Sequence, residues 1–317
     1  GRVRDGLARR ILEALDAPGV DWTELALDVH RWQHAHDPVV RALSPAPATT
    51  LDAIPAVPVG LFRDLDVGTV DPAGPHVAFH TSGTTTGRPG VHRMRDTVLY
   101  DAGCMRHARP WLPRTSRTVA LLADSPVSSL AHMVRGFAPV TGPVTWLVDT
   151  DGLHLEGLER VGEPTFLCTT AFALDAWLAT DPPALPDGSA ILVTGGFKGR
   201  RTHLDAGSVV DAAVLRAPVV QEYGMTELSS QLWSRPGEPF EPPHWLRVTA
   251  VDPASGVPLG PGEVGQLRFL DLCNLDGTLA IETLDQGVVH PDGRVTLHGR
   301  LPDAPARGCS LAVEDLL

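Results

Sequence analysis

The chain is almost without lysine. Of the 26 lysine and arginine residues among its 317, only Lys198 is a lysine. Such a bias indicates a GC-rich genome in which arginine serves wherever a generic cation suffices. Because the lysine ammonium is a compact point charge on a flexible stem, we expect Lys198 to have a role that arginine cannot fill. An ordinary surface lysine is the alternative.

Cysteine is also scarce, and its spacing excludes two kinds of small protein. The four cysteines (Cys104, Cys168, Cys273 and Cys309) are scattered and form no C-x-x-C pair. A disulfide framework or a zinc site needs closer, paired spacing. The cysteines therefore predict free thiols, and we expect a protein of the reducing cytoplasm.

Long apolar runs and a basic surface are absent too. No apolar stretch approaches the roughly 18–20 residues needed to cross a bilayer. The charged residues 1–10 lack the apolar core of a secretion signal. The formal net charge of −12 argues against sequence-independent binding of nucleic acid, which needs a basic face. We expect neither a membrane nor a nucleic acid as partner.

What is present is the patterning of an α/β enzyme, with 43% hydrophobic residues. Residues 116–222 alternate between short apolar strands and helical segments, which predicts a largely parallel sheet flanked by helices. From residue 245 onward, short strands and Gly/Pro turns predict a β-rich subdomain. We divide one large domain into a helical and loop region (1–75), an α/β region (76–244) and this β-rich part (245–317).

At a finer scale, the spacing of apolar residues predicts the local elements. Helices are predicted over 7–17, 22–35 and 153–161. The passage 37–53 is predicted to be rich in loops, and 55–65 to contain a short strand. The helix assignments use the periodicity of the apolar side chains.

One loop is made almost entirely of hydroxyl-bearing residues and glycine. After the apolar residues 77–79 the chain reads His-Thr-Ser-Gly-Thr-Thr-Thr-Gly-Arg-Pro-Gly. Glycine lets backbone N–H groups face an anion, and the hydroxyls add further donors. The loop therefore predicts a phosphate cradle, although a plain surface loop is the alternative. Its candidate residues are Thr81, Ser82, Gly83, Thr84, Thr85, Thr86 and Gly87. The order of a Walker loop is absent.

A second segment, Gln-Glu-Tyr-Gly-Met-Thr-Glu at 221–227, follows the apolar residues 217–220. An aromatic ring can stack on a base, a threonine hydroxyl can reach a phosphate, and a glutamate can hold Mg²⁺. This makes Tyr223, Thr226 and Glu227 candidate binding residues. A core aromatic for Tyr223 and a charge at a helix N-terminus for Glu227 are the alternatives.

Together the two segments resemble those of the adenylate-forming superfamily, which contains acyl-CoA synthetases, luciferases and peptide-synthetase adenylation domains. The resemblance implies that the first loop wraps the β- and γ-phosphates of ATP. It implies that the second, including Glu222 and Gly224, binds adenine, the α-phosphate and the metal. Residues 262–267 also look like a strand of that family, and the order and spacing match from about residue 76 to the end.

Two further matches extend the resemblance. Thr-Leu-Asp-Gln-Gly at 283–287 looks like the family's Thr-Gly-Asp-x-Gly, which implies that Asp285 holds the ribose hydroxyls. Gly299-Arg300 looks like its Gly-Arg hinge, and the chain ends soon afterwards, so we expect the small C-terminal lid domain to be lacking. The family's lysine after the loop proline is replaced by Gly90. Arg88, Arg93 or Lys198 could supply the cation, and we favour Lys198 because Gly195-Gly196 leads into it.

Three short motifs resemble the acyl-protein synthetase (LuxE-like) branch of the superfamily. They are Ser-Ser-Leu-Ala-His-Met at 128–133, Gly-Gly-Phe-Lys at 195–198 and Arg-Gly-Cys-Ser-Leu at 307–311. The branch implies that Ser129 and His132 line an acyl pocket and that Cys309 accepts an acyl group. A core position for His132 and a buried, inert thiol for Cys309 are the alternatives.

The resemblance implies an enzyme that uses ATP and Mg²⁺ to convert a carboxylic acid into an acyl-adenylate, with release of pyrophosphate. The acyl group would pass to a thiol, either Cys309 or that of a partner protein such as a reductase. Transfer to CoA or a carrier protein with a lid supplied in trans is the second possibility. A degenerate nucleotide-binding interaction module is the third. The acid remains open, because pocket shape depends on packing.

Overall fold

The computed structural model describes residues 1–81, 88–158, 162–195 and 206–301. The helices are α1 (Arg2–Asp16), α2 (Trp22–His36), α3 (Pro38–Leu43), α4 (Leu61–Asp64), α5 (Val98–Ala108), α6 (Ser129–Thr141), α7 (Ala171–Leu178) and α8 (Ala206–Val214). None of the helices in these ranges is both long enough and apolar enough to cross a bilayer.

The strands make a seven-stranded sheet, a five-stranded sheet and a two-stranded hairpin. They are β1 (Val57–Pro58), β2 (Val77–His80), β3 (Val91–Met94), β4 (Arg117–Ala123), β5 (Val144–Asp149), β6 (Gly152–Leu153), β7 (Thr165–Thr170), β8 (Ala190–Thr194), β9 (Val219–Tyr223), β10 (Leu232–Ser234), β11 (Leu246–Val251), β12 (Val264–Asp271), β13 (Ala280–Val289) and β14 (Val295–Arg300).

The seven-stranded sheet has the order β10-β9-β8-β7-β4-β5-β6. Its five inner strands, from β9 to β5, pair in parallel, and the short outer strands β10 and β6 pair antiparallel. Every residue of β7 is buried, as expected for a parallel strand covered on both faces. The predicted α/β class with a largely parallel sheet is confirmed.

Alternating side chains divide this sheet between two cores. Leu167 and Ile191 face one core with α7 and α8, whereas their neighbours Cys168 and Leu192 face the other with α5 and α6. Successive side chains of a strand point to opposite faces, so the continuous apolar runs in the sequence serve both layers. Because the five inner strands are parallel, their carboxyl ends all lie at the same edge of the sheet.

The five-stranded sheet runs β1-β13-β12-β11, with β14 also paired to β13. Four of its strands, β11 to β14, follow residue 245, and the domain boundary at that residue stays a prediction. The sheet also takes in β1, which lies in the first 75 residues and pairs in parallel with β13. Helices α1 and α2 pack against the segment that joins β12 to β13, in a core that contains Leu25, Leu272 and Leu275.

Two local predictions fail for identifiable reasons. The helix predicted over 153–161 is replaced by β6 and a 3₁₀ turn at Leu155–Leu158; residues 159–161 lie outside the described ranges. The carboxylate of Asp149 accepts a hydrogen bond from the Asp151 N–H (2.8 Å) and so starts a tight turn. The passage 37–53 contains α3, whose N-terminus is capped by the Asp37 carboxylate and begins with Pro38.

Substitution of Gly142, at the end of α6, tests how tightly this helix packs against the start of β4. Its φ is +87°, and a Cβ there would lie 2.2 Å from the Ser116 carbonyl oxygen. Gly142→Ala should therefore lower the free energy of unfolding by about 2–4 kcal/mol. Gly136→Ala in the same helix is the control, since open space surrounds it, and it should gain about 0.5–1 kcal/mol. Urea unfolding of both variants measures the difference; equal stabilities would contradict this packing.

Candidate active site

The segment Glu222–Glu227 leaves the carboxyl end of β9 and crosses towards the five-stranded sheet. In open α/β sheets, ligands bind in the crevice beyond the carboxyl ends of the strands. Here that crevice is bordered by β8 and β9, by the β13–β14 pair and by the β2–β3 hairpin. Each of these elements contributes side chains that contact the segment.

Glu222 is buried at the end of β9, with 6% of its surface exposed. One carboxylate oxygen accepts a hydrogen bond from the Thr194 hydroxyl at 2.5 Å, and the two residues are register partners on β8 and β9. A Cβ on Gly224 would lie 2.4 Å from the other carboxylate oxygen. A side chain at position 224 would therefore displace the Glu222 carboxylate, so the hydrogen-bonded position of that carboxylate favours glycine two residues later.

Three candidate residues meet on the other side of the strand. The Tyr223 hydroxyl donates a hydrogen bond to Asp285 Oδ2 at 2.6 Å, and Arg300 Nε lies 3.6 Å from Asp285 Oδ1. Asp285 and Arg300 are register partners on β13 and β14. A buried carboxylate is stable only when it is paired and hydrogen-bonded, and Asp285 is 1% exposed. This triad joins the two large sheets.

The ring of Tyr223 packs as a core aromatic. It stacks on Phe269, with ring centroids 5.8 Å apart and an interplanar angle of 21°, and it is 7% exposed. The structure thus favours the alternative given above for the ring, while its hydroxyl serves the polar triad. The contact of this residue with adenine stays a prediction.

The next part of the segment is held by its backbone carbonyl groups. His92 Nδ1 donates to the Thr226 carbonyl oxygen at 2.8 Å, and Asn274 Nδ2 donates to the Glu227 carbonyl oxygen at 2.9 Å. Complete burial lowers the pKa of His92, so the ring is neutral and its proton sits on the nitrogen that faces the carbonyl. The Thr226 and Glu227 side chains are 5% and 9% exposed.

Asp271, at the end of β12, binds Ser229 and Ser230, which continue the segment after Glu227. Its carboxylate accepts hydrogen bonds from the backbone N–H of Ser229 (3.1 Å) and of Ser230 (2.8 Å), and from the Ser230 hydroxyl (2.8 Å). Burial raises the pKa of Asp271 to about 6, although these donors oppose the shift. The segment is therefore fixed from residue 222 to residue 230.

His132 and Ser129 lie on α6 beside an aromatic pair. The His132 ring is 5.2 Å from that of Phe79 and 5.4 Å from that of Tyr100, and its Nε2 is 2.6 Å from a carboxylate oxygen of Asp101. The Tyr100 hydroxyl donates to the Ser129 carbonyl oxygen at 3.2 Å. With 27% of its side chain exposed, His132 is only half-buried. A pocket role for His132 and Ser129 stays a prediction.

The base of the predicted phosphate loop is closed by two hydrogen bonds. The Thr81 N–H donates to the Gly90 carbonyl oxygen at 2.9 Å, and the Gly90 N–H donates to the Thr81 hydroxyl at 2.7 Å. Gly195 ends β8 with a φ of +68°. The remaining candidates in this group, namely Ser82 to Gly87, Gly196, Lys198 and Cys309, lie outside the described residues.

The residues present suit Mg²⁺ bound with a nucleotide. Among the described residues, no group of three histidine, cysteine, aspartate or glutamate side chains is placed to hold a metal ion. Mg²⁺ prefers oxygen ligands, and in nucleotide sites it takes one or two carboxylates together with phosphates and water. Glu227, which follows Thr226 in the chain, supplies a carboxylate of this kind.

A groove of about 970 Å³ lies elsewhere, along β11 and the turn at 292–294. Its arginines Arg106 and Arg294 are paired with Asp16 and Asp292. It contains none of the candidate residues. The crevice at the strand ends is the better candidate site because the polar side chains converge there.

Sequence reasoning missed Thr194, His92, Asn274 and Asp101, each of which contacts a candidate residue. Thr194 directly precedes Gly195, so the glycine pair was an available signal. Nothing in the local sequence marks His92 or Asn274. Their partners are backbone carbonyls 134 and 47 residues away in the chain, and such contacts leave no short motif.

Comparison with known proteins bears on the fold. No family model matches the chain, and no curated protein matches it. Solved structures of acyl-CoA ligases do match. A 2-hydroxyisobutyryl-CoA ligase in complex with 2-HIB-AMP has a TM-score of 0.66 and 14% identity, covering 90% of this chain and 69% of the ligase. The chain thus has the fold of the large domain of adenylate-forming enzymes.

Two further structures are similar over a smaller part. They are the o-succinylbenzoate CoA synthetase of Bacillus subtilis (TM-score 0.52, 17% identity) and a long-chain-fatty-acid-CoA ligase of Archaeoglobus fulgidus (TM-score 0.50, 17% identity). Each match covers 71% of this chain, and 49% and 51% of those proteins. The chain therefore spans about half of their length. The Bacillus synthetase has been solved with AMP, and with ATP and magnesium ion.

The triad of Tyr223, Asp285 and Arg300 makes a testable contribution to stability. Tyr223→Phe removes the donor at 2.6 Å from a buried carboxylate, so it should lower the free energy of unfolding by about 1–3 kcal/mol. Tyr100→Phe is the matched control, because its hydroxyl meets a carbonyl oxygen at 3.2 Å, and it should cost only about 0.5–1.5 kcal/mol. Thermal and urea unfolding compare the two. A neutral Tyr223→Phe would mean that the triad does not join the sheets.

Proposed function

We propose that this protein activates a carboxylic acid with ATP and Mg²⁺, forming an acyl-adenylate and pyrophosphate. One observation carries the proposal. The segment Glu222–Glu227 is fixed between the Asp285–Arg300 pair and the hairpin that bears the hydroxyl-rich loop. This is the set of elements that an adenylate-forming site requires, and it sits on a fold shared with a synthetase solved with ATP and magnesium ion.

In this reaction an acid oxygen attacks the α-phosphorus of ATP, and the bond from that phosphorus to the pyrophosphate oxygen breaks. Catalysis is mainly positioning and neutralisation of charge. The N–H groups and hydroxyls of residues 81–87 hold the β- and γ-phosphates, and the Thr226 hydroxyl meets the α-phosphate. Asp285 accepts hydrogen bonds from the ribose, with Arg300 beside it. Glu222, Tyr223 and Gly224 form the wall next to adenine.

Glu227 is the proposed protein ligand of Mg²⁺. When bound, the ion neutralises negative charge on the phosphates. The contribution of the chain is to hold the carboxylate in place. Two described contacts do this, from His92 and from Asn274, and both act on the backbone that carries the carboxylate.

Lys198 is the proposed cation that replaces the missing loop lysine. In the sequence it lies three residues after Gly195, which directly follows β8 and the Thr194–Glu222 hydrogen bond. A lysine ammonium is a compact charge on a flexible stem, which suits contact with the acid or a phosphate. The acid itself would lie beside His132 and Ser129, which are half-buried on α6, with the buried rings of Phe79 and Tyr100 packed against His132 from the core.

For the second half-reaction we propose transfer of the acyl group to a thiol, as in the acyl-protein synthetase branch. The three short motifs at 128–133, 195–198 and 307–311 support this branch. A thiolate attacks the acyl carbon, AMP leaves, and a thioester forms. Cys309 is the proposed acceptor, with a partner protein as the next. CoA is the competing acceptor, because the structural relatives named above are CoA ligases.

Loss of the Glu227 carboxylate tests the first half-reaction. Glu227→Ala should lower carboxylate-dependent ATP–pyrophosphate exchange by at least about tenfold and raise the Mg²⁺ concentration at half-maximal rate. Glu238→Ala, an exposed position, is the control and should exchange at the wild-type rate. A panel of carboxylic acids in the same assay identifies the substrate. Wild-type exchange with unchanged Mg²⁺ dependence in Glu227→Ala would refute the assignment, and no exchange by the wild type would favour an interaction module.

Covalent labelling tests the acceptor. After incubation with ATP and radiolabelled acid, denatured wild-type protein should retain hydroxylamine-labile label, and Cys309→Ser should retain none. Cys168→Ser is the matched control, since burial raises the pKa of that thiol well above its usual value and makes it inert. Label that persists in Cys309→Ser would place the acyl group elsewhere. Absence of label with rapid formation of an acyl-CoA would identify a CoA ligase.

A further inference from the structure

We infer that His92 and Asn274 are positioning residues that together fix the orientation of Glu227 and couple the phosphate-loop hairpin to the metal-binding segment. The inference rests on the proposed function in taking Glu227 as the metal ligand. The hydrogen bonds that carry it are properties of the structure alone. Neither residue belongs to any motif of the sequence.

The two carbonyl groups they hold flank a single α-carbon. The Thr226 carbonyl belongs to the peptide plane before Glu227, and the Glu227 carbonyl to the plane after it. Because each peptide unit is planar and rigid, fixing both planes fixes φ and ψ of Glu227. The direction of its Cα–Cβ bond, and so the position from which the carboxylate extends, is then set by two side chains from distant parts of the chain.

His92 is held in one orientation and one tautomer. It lies on β3, paired with Phe79 on β2, and is 1% exposed. Because a carbonyl oxygen only accepts, Nδ1 must carry the proton. A Cβ on Gly277 would lie 2.7 Å from His92 Nε2, so Gly277 makes the space that the ring occupies. The hairpin that bears the loop is thereby tied to Thr226.

Asn274 is fixed just as firmly. Its Nδ2 donates to the carbonyl oxygens of Glu227 (2.9 Å) and Thr278 (3.1 Å). A flipped amide would place Oδ1 against two acceptors, so the orientation is determined by the contacts. Gln33 of α2 holds the Asn274 backbone, with Nε2 donating to its carbonyl oxygen at 2.8 Å and Oε1 accepting from the Leu279 N–H at 2.8 Å.

We expect substitution of His92 or Asn274 to weaken metal binding even though the Glu227 carboxylate is still present. His92→Leu and Asn274→Leu each remove the donor and keep an apolar side chain in the space. Each should weaken Mn²⁺ binding in the presence of α,β-methylene-ATP by about tenfold, the lower range for residues that orient a metal ligand. Binding of the nucleotide without metal should change less than about twofold. Calorimetry of the full chain measures both affinities.

The double variant, with both His92→Leu and Asn274→Leu, shows whether the two residues act together on Glu227 or independently of each other. If both residues act on the one α-carbon, a single substitution already frees Glu227, so the double variant should lose clearly less affinity than the product of the two single losses. Multiplicative losses would overturn the coupling. His92→Asn, whose Nδ2 occupies nearly the place of the histidine Nδ1, should recover most of the affinity lost in His92→Leu.

A control variant tests whether general destabilisation of the fold would by itself weaken metal binding. His107 also holds a backbone carbonyl, with Nε2 2.9 Å from the Glu241 oxygen, and it lies away from the crevice. His107→Leu should lower the melting temperature and leave Mn²⁺ affinity unchanged. Hydrogen exchange of residues 225–230 should accelerate in His92→Leu and Asn274→Leu and not in this control.

The positioning role of His92 and Asn274 and the metal-binding role of Glu227 can fail independently, and the variants distinguish the two failures. Unchanged Mn²⁺ affinity and unchanged exchange in His92→Leu and Asn274→Leu, with weakened affinity in Glu227→Ala, would overturn the positioning role and leave the metal site intact. Unchanged affinity in Glu227→Ala would overturn both. Loss of affinity in all three, with the His107→Leu control unaffected, is the expected result.

Discussion

The structure depends on one buried polar segment, residues 271–279, which joins β12 to β13 in the interior. Buried polar groups must be hydrogen-bonded or they cost free energy. The Asp271 carboxylate accepts hydrogen bonds from Ser229 and Ser230, and Asn274 Nδ2 donates to the Glu227 carbonyl oxygen. These hydrogen bonds tie residues 227–230 of the candidate active site to the buried connection between β12 and β13.

The same requirement gives the N-terminal helices their role. Arg4 of α1 forms two hydrogen bonds with the Asp276 carboxylate, at 2.9 and 2.5 Å, and both residues are buried. Gln33 of α2 binds the backbone on both sides of Asn274. Removing one partner of a buried ion pair leaves an uncompensated charge. The first 36 residues match no family motif. They contribute through Arg4 and Gln33, which bind the 274–279 segment that in turn contacts the candidate site.

Much of the fold could be predicted because its signals are local. The alternation of apolar strands and helices over 116–222 specified the parallel sheet, since buried parallel strands are short continuous apolar runs. The same reasoning failed at 153–161, where a tight turn at Asp149 and the glycines Gly152 and Gly157 override helical spacing. It also missed β3 and β10, which are only four and three residues long, too short for periodicity to show.

The chemical groups of the candidate site could be read directly from the chain: the hydroxyl-rich loop at 81–87, the aromatic, hydroxyl and carboxylate groups of 222–227, and the acidic Asp285. These are residue types in fixed local order, which sequence records directly. The packing of the Tyr223 ring on Phe269, the bond of its hydroxyl to Asp285, and the hold of His92 and Asn274 on the backbone around Glu227 follow from the three-dimensional fold. All of these contacts join residues far apart in the chain. Those of His92 and Asn274 go to backbone carbonyls, which are the same at every position, so no pattern of side chains encodes them.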